Sequence, residues 1–319
     1  MNKYLSTLSL ALATMFIVAV TSTAHEGGEL SNEELASQIG KSVAELKEID
    51  EKIIAYNETI ESNPEDADAH FNLGVLYEKK MKFKDAISEY QQAIGLKPDF
   101  VDARINLAIV YTERNMYGES VNELKQVLEI DPQNADAYKY IGRAYYKTGL
   151  LNDALVEFKK ALEIESNDPE IYCYLESVYF SMGRLDEAEA ELKKAIEIDP
   201  QFKVAHLNLG FVYYEQGKLD EAMEEYEIAI GIDPKFADAY SNMGLVYCQK
   251  EMFDDAIAIL KKAIEINPSL PDAHNNLGYA YWNKGLQDKE NNAEGNENEW
   301  KKKAMREVTI YKTLIGAKQ

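Results

Sequence analysis

The sequence predicts an all-α fold, a solenoid of helix-turn-helix repeats, and three observations predict it. Tyrosine recurs at 77, 111, 145, 179, 213, 247 and 281, each 34 residues after the last. Two apolar columns keep the same register. Leu73, Leu107, Ile141, Leu175, Leu209, Met243 and Leu277 stand four residues before the tyrosines, and Ala86, Ala154, Ala188, Ala222 and Ala256 stand nine after, with Ser120 as the exception. Joints are marked by Pro64, Pro98, Pro132, Pro200, Pro234 and Pro268, with Ser166 as the exception. Self-similarity at this period is the mark of a stacked array. Each unit holds two short helices that cannot bury an apolar face alone, so neighbours must share one core.

Composition agrees and narrows the function. Of 319 residues, 46% are apolar and 28% charged, which is globular rather than disordered. Acidic residues outnumber basic ones 56 to 34, a formal charge of −22. That field repels nucleic acid and anionic membranes, so neither is expected as a direct partner, and a membrane is reached only through partners. Two cysteines are too few for a disulfide framework or a thiolate metal cluster.

Taken in order, residues 1–24 read as a secretory signal peptide. Lys3 carries the one charge, Leu5 to Val20 is an apolar run, and Ser22-Thr23-Ala24 offers small residues for cleavage after Ala24. The run is broken by Ser6, Thr7, Ser9 and Thr14 and falls short of the ~20 apolar residues of a spanning helix. Cleavage and export to the periplasm or the extracellular space are expected, with an uncleaved anchor as the alternative. Residues 25–66 form an N-terminal helical capping segment. Ser31-Asn32-Glu33-Glu34 supplies a capping box, and Leu35, Ile39, Leu46, Ile49, Ile53, Tyr56 and Ile60 supply a helical stripe. The segment serves either as a cap or in self-association.

Residues 67–286 hold seven repeats, six complete and the last interrupted. Gly149, Gly183, Gly217 and Gly285 mark the turns between paired helices, where glycine tolerates a left-handed backbone. In repeat four Glu176 replaces the small residue of the close-packing column, so the helices separate there or the carboxylate leans to solvent. Residues 287–298 are polar and asparagine-rich, a loop insertion. A C-terminal helix at 299–319 carries Trp300, Met305, Val308, Tyr311 and Leu314 on one side. It is the displaced second helix of repeat seven or a terminal cap, and its Lys301-Lys302-Lys303 run also suits a membrane surface.

Repeat five shows the pattern in full as His206, Leu209, Gly210, Tyr213, Ala222, Tyr226, Ala229 and Pro234. It resembles the tetratricopeptide repeat, over about Ala67 to Gly285. The resemblance implies a right-handed α-α superhelix whose first helices line a concave groove that binds a peptide or partner protein. Carried over by position, the inner column reads Asn72, Asn106, Tyr140, Tyr174, Asn208, Asn242 and Asn276, and nearby columns add Tyr146, Phe180, Phe211 and Tyr214. Asparagine carries a donor and an acceptor and can pair with a peptide backbone; equally, it can satisfy neighbouring groups within the fold. The tyrosine and phenylalanine positions lie beside core columns that are already filled, so an apolar contact is expected there. Asp68, Asp102, Asp136, Glu170, Asp238 and Asp272 open the first helices, where the dipole favours acids. They also favour a basic or apolar partner over a carboxylate tail.

Active-site constellations are absent from the sequence: it has no glycine-rich phosphate loop, no His-Glu-x-x-His and no Cys-x-x-Cys. His70, His206 and His274 share one column and are separated along the array, so a structural role is expected. Cys173 and Cys248 sit in different repeats and are expected as free thiols, Cys173 with a chance to face the groove and react. The resulting expectation is a non-enzymatic exported scaffold without cofactor or metal. A self-assembling subunit of a secretion or envelope complex is the alternative.

Overall fold

The computed structural model describes residues 43–290 and 297–316. The leader at 1–24, and Leu35 and Ile39 of the capping segment, lie outside the described residues. Among the described residues there are fifteen α-helices and no strand. They fall into two compact units that divide between Ser166 and Asn167. The first holds α1 (Val43–Ser62), α2 (Ala67–Lys79), α3 (Phe83–Leu96), α4 (Val101–Glu113), α5 (Tyr117–Ile130), α6 (Ala135–Lys147) and α7 (Leu151–Ile164). The second holds α8 (Pro169–Ser181), α9 (Leu185–Ile198), α10 (Lys203–Glu215), α11 (Leu219–Ile232), α12 (Ala237–Gln249), α13 (Phe253–Ile266), α14 (Pro271–Glu290) and α15 (Glu297–Gly316). Within each unit a first helix packs on its own second helix, and that second helix packs on the next first helix. Each unit is thus a short solenoid.

The sequence columns are the core. All seven leucine-column residues are buried, and the alanine column, Ser120 included, is closed to solvent. Ser120 is tolerated because its hydroxyl pairs with Thr112 Oγ1 at 2.8 Å, so no buried polar group is orphaned. Tyr111, Tyr179, Tyr213 and Tyr281 are buried and Tyr77, Tyr145 and Tyr247 half-buried. Paired helices approach closely where glycine faces a large ring. A Cβ on Gly74 would lie 2.7 Å from the Tyr90 ring, one on Gly142 2.8 Å from Phe158, and one on Gly210 2.6 Å from Tyr226. Each buried ring contributes about 1.5–3 kcal/mol of transfer free energy.

Joints follow from local chemistry. The side chains of Asp131, Asp199, Asp233 and Asn267 each accept from the backbone N–H two residues on, bridging the intervening proline. One first-helix column then ties each joint down. His70, His206 and His274 place Nδ1 2.6 Å from Glu89, Glu225 and Glu307, and Nε2 3.0–3.3 Å from the carbonyl of Pro64, Pro200 and Pro268. Arg104 does the same with Glu123 and the Pro98 carbonyl, and Tyr138 and Tyr240 donate to the carbonyls of Pro132 and Pro234. The hydrogen bond that the His206 imidazole donates to Glu225 raises it above its usual range despite burial. The histidines are therefore structural clamps, each with both ring nitrogens engaged.

Helix-pair turns use a left-handed residue at one fixed column. Gly149, Gly183 and Gly217 occupy it with φ of 74–78°, and Met81, Asn115 and Glu251 with φ of 58–59°. A left-handed L-residue costs about 1–2 kcal/mol, partly offset because glycine loses more freedom on folding. Glu251 is exposed, so Glu251→Gly is expected to stabilise the protein by about 0.5–1 kcal/mol. A urea midpoint that falls in this variant would contradict the account.

The seventh repeat departs from two expectations. Gly285 does not mark a turn, and Gln287 to Glu290 are not loop: α14 runs straight through them for 20 residues, against 13 in the other first helices. Helix α15 nevertheless takes the place of the missing second helix. His274 meets Glu307 thirty-three residues on, where His70 and His206 meet their glutamates after nineteen. Ala304 is buried like the alanine column, and a Cβ on Gly278 would meet Val308 as one on Gly74 meets Tyr90. The shift is fourteen residues throughout. α14 is seven residues longer than the other first helices, close to two turns, and the pair is lengthened without changing which faces meet at its base; residues 291–296 lie outside the described residues. The extra length is held by Trp300, which stacks on Tyr281 and donates to Asp288 at 2.8 Å.

Candidate functional site

The first helices carry every residue of the expected binding surface, and the structure places them in different surroundings. In the first unit, the Asn72 amide donates to its own helix at the Asp68 carbonyl, 2.7 Å away. The Asn106 amide donates to the Tyr90 hydroxyl, which in turn donates to Glu78 at 2.8 Å. Tyr140 packs beside Ala108, Leu124 and Ile141 with the Lys139 amine 5.5 Å from its ring, and Lys139 pairs with Asp136 at 2.9 Å. Tyr146 is half-buried.

In the second unit, the Asn208 amide donates to Glu176 at 3.1 Å, the Asn276 amide to Ser241 at 3.4 Å, and the Asn242 amide to the Tyr226 hydroxyl. The asparagine column thus joins each first helix to the repeat before it, with Asn72 the exception. Tyr174 donates to Glu170 at 3.0 Å. Phe180, Phe211 and Tyr214 form a chain of rings with centroids 5.3 and 6.3 Å apart, and Phe211 is 6% exposed.

Four of these residues, Phe211, Tyr214, Asn242 and Asn276, converge on one cavity of about 770 Å³ in the second unit. Leu245, Tyr279, Trp282, Met305, Val308 and Tyr311 complete its apolar wall, with Glu215, Asp272 and Lys312 among its polar groups. Tyr174, Phe180 and Asn208 do not line it, although Phe180 supports Phe211 from behind. Burial raises the Tyr214 phenol and the Glu215 carboxyl, so a cation brought to Glu215 would be favoured. Tyr279 and Trp282 stand two periods after Phe211 and Tyr214, so extending those columns by 68 residues finds them in the sequence. Met305, Val308 and Tyr311 are hidden by the fourteen-residue shift.

Glu176 neither leans to solvent nor pairs with a cation. Its side chain is 0% exposed, Oε2 accepts from Asn208 and Ser177, and Oε1 has no hydrogen-bond partner. Burial pushes its carboxyl up to about 8. Cys173 is buried rather than presented to a groove, and burial lifts its thiol well above the usual range, as it lifts Cys248 to about 12. Neither thiol is a nucleophile at neutral pH. Among the described residues no group of three or more histidine, cysteine or carboxylate side chains is arranged to hold a metal, and no helix is long and apolar enough to cross a membrane.

Stacked helix pairs with a wide aromatic cavity define a helical-repeat scaffold for protein interactions. The tetratricopeptide repeat profile matches residues 67–100, and a second TPR repeat profile matches 110–149, 142–175, 177–217, 212–250 and 246–285. The chain belongs to the tetratricopeptide repeat family, whose members are generally non-enzymatic scaffolds that bind peptides or proteins. Among curated proteins, none matches. Solved structures share the fold. A tetratricopeptide repeat protein from Parabacteroides merdae is 19% identical, with a TM-score of 0.62 over 78% of this chain and 98% of its own. Yeast Tom70 is 18% identical, with a TM-score of 0.62 over 92% of this chain and 66% of its own. The pilF protein of Pseudomonas aeruginosa is 18% identical, with a TM-score of 0.55 over 65% of this chain and 94% of its own.

Proposed function

We propose that this chain is an exported, non-enzymatic scaffold that holds an apolar segment of a partner protein on the first-helix face of its repeats. The contact is centred on the cavity of the second unit. The observation that carries this reading is the cavity itself: about 770 Å³ walled by Phe211, Tyr214, Leu245 and Tyr279, with Asn242 and Asn276 also in its lining. Rigid aromatic walls with a few polar groups are the usual make-up of a binding hot spot. Glu215 and Asp272 at the cavity, and a net charge of −22, favour a basic residue beside the apolar anchor. Export rests on the leader pattern at 1–24.

Tyr214→Ala is expected to weaken partner binding by about 1–3 kcal/mol. Phe180→Ala, which removes the support under Phe211, is expected to act in the same direction more weakly. The measurement is capture from the exported fraction by immobilised wild type and variants, with circular dichroism to confirm retained helix. Equal capture by wild type and both variants would remove the cavity from the binding surface.

A further inference from the structure

The end face of repeat seven is unfinished. Tyr279, Trp282 and Leu286 follow one stripe of α14 and are 53%, 46% and 39% exposed, and Met305 of α15 is 69% exposed. Earlier residues in the columns of Tyr279 and Trp282 are better covered: Phe211, two periods before Tyr279, is 6% exposed, and Cys248, one period before Trp282, is 3% exposed, whereas Leu286 is no more open than Met252 one period before it, at 43%. Terminal repeats ordinarily turn a polar face outward, because no further neighbour arrives to cover them. Here the face keeps the apolar character of an internal repeat junction.

Charge indicates what fits it. Although the chain carries −22 overall, α15 has five basic residues against three acidic. The Lys301 amine lies 5.7 Å from the Trp282 ring, and Lys312 lines the same cavity as Tyr279, Trp282 and Met305, so cations border the apolar patch. At the other end of the sequence, α1 has six acidic residues against two basic. Glu51, Ile54, Glu58 and Glu61 form an exposed outer stripe on it at helical spacing, with Ile54 in place to meet an apolar patch.

We propose that this end face is the seat for a second copy of the chain, which inserts the outer stripe of its α1 against Tyr279, Trp282 and Met305 while Glu51 and Glu58 meet Lys301 and Lys312. Such a contact is head-to-tail: each copy offers its α1 to one neighbour and receives the α1 of another, so association can run beyond two copies.

The test is the average mass of the full chain by light scattering, from dilute to concentrated solution. Mass is expected to climb steadily with concentration and to fall with added salt. Met305→Glu, and separately the pair Lys301→Glu and Lys312→Glu, are expected to lower the association constant at least about tenfold. The pair Glu51→Lys and Glu58→Lys should do the same. Mixing the two charge-reversed proteins should restore association, because each then offers the other a complementary end. Lys125→Ala, at an exposed position of α5 outside both surfaces, should leave association unchanged. A constant monomer mass overturns the proposal, as does association indifferent to Met305→Glu and to both charge reversals.

Discussion

Glu176→Ala is expected to cost about 1 kcal/mol near pH 4.5 and to turn stabilising as pH rises toward 8. The carboxyl is buried with one oxygen unpartnered, and its folded-state value of about 8 stands well above the ordinary 4.5. The sign follows from linkage. Below 4.5 the group is protonated in both states and folding meets no penalty from it. As pH rises toward 8 the unfolded chain releases the proton while the folded chain retains it, so stability is lost across that window and levels off above it. At ~1.4 kcal/mol per pH unit, the penalty at pH 8 is on the order of 3–5 kcal/mol. Alanine removes it, less about 1 kcal/mol for lost contacts and the abandoned Asn208 amide. Repeat two already shows that alanine fits, since Ala108 stands sixteen residues before Leu124 as Glu176 stands before Leu192, all four side chains being buried. Urea unfolding at a series of pH values reads the result. A slope between pH 5 and 8 that persists in the variant would show the carboxylate to be ionised in the fold.

Tyr226→Ala is expected to lower stability by about 3–5 kcal/mol. The ring is 1% exposed and lies against Gly210, which has no side chain to move into the space left behind. The upper part of the range therefore applies, and the Asn242 amide loses the hydroxyl it donates to. Gly210→Ala alone should cost about 1–3 kcal/mol, since its methyl would press on the ring at 2.6 Å. Combined with Tyr226→Ala, the same methyl should be tolerated or helpful. Additive effects in this double-mutant cycle would show that glycine and ring are not the coupled pair described.

Much of the fold was legible because stacked repeats write the same demand many times. The buried leucine and alanine columns, and the tyrosine column, are read directly from a 34-residue register. The histidine column was legible as structural, but not its joint clamp, because Arg104 and Tyr138 reach the same carbonyls through unlike chemistry. Residue type alone leaves open where a polar group spends its bonds. Asn106 and Asn242 turn to tyrosine hydroxyls of the preceding repeat, a contact set by packing rather than by their own column. Glu176 was ambiguous for the same reason: a carboxylate in a small-residue position is decided by whether Leu192 leaves room beside it. The end of α14 was misread because its polar residues form the solvated side of a longer hairpin, and a polar helix tip looks like a loop in composition. The aromatic cavity was half visible, through Phe211 and Tyr214 but not through α15.

The lengthened last hairpin carries its own consequence. Seven residues added to α14 advance it by close to two whole turns, so its base stays in phase with the array while its far end reaches beyond the neighbouring first helices. A change of length at that far end is thus uncoupled from the His274–Glu307 clamp, which sits at the base of the pair. The far end of α14 is accordingly a place to graft a reporter without retuning the stack beneath.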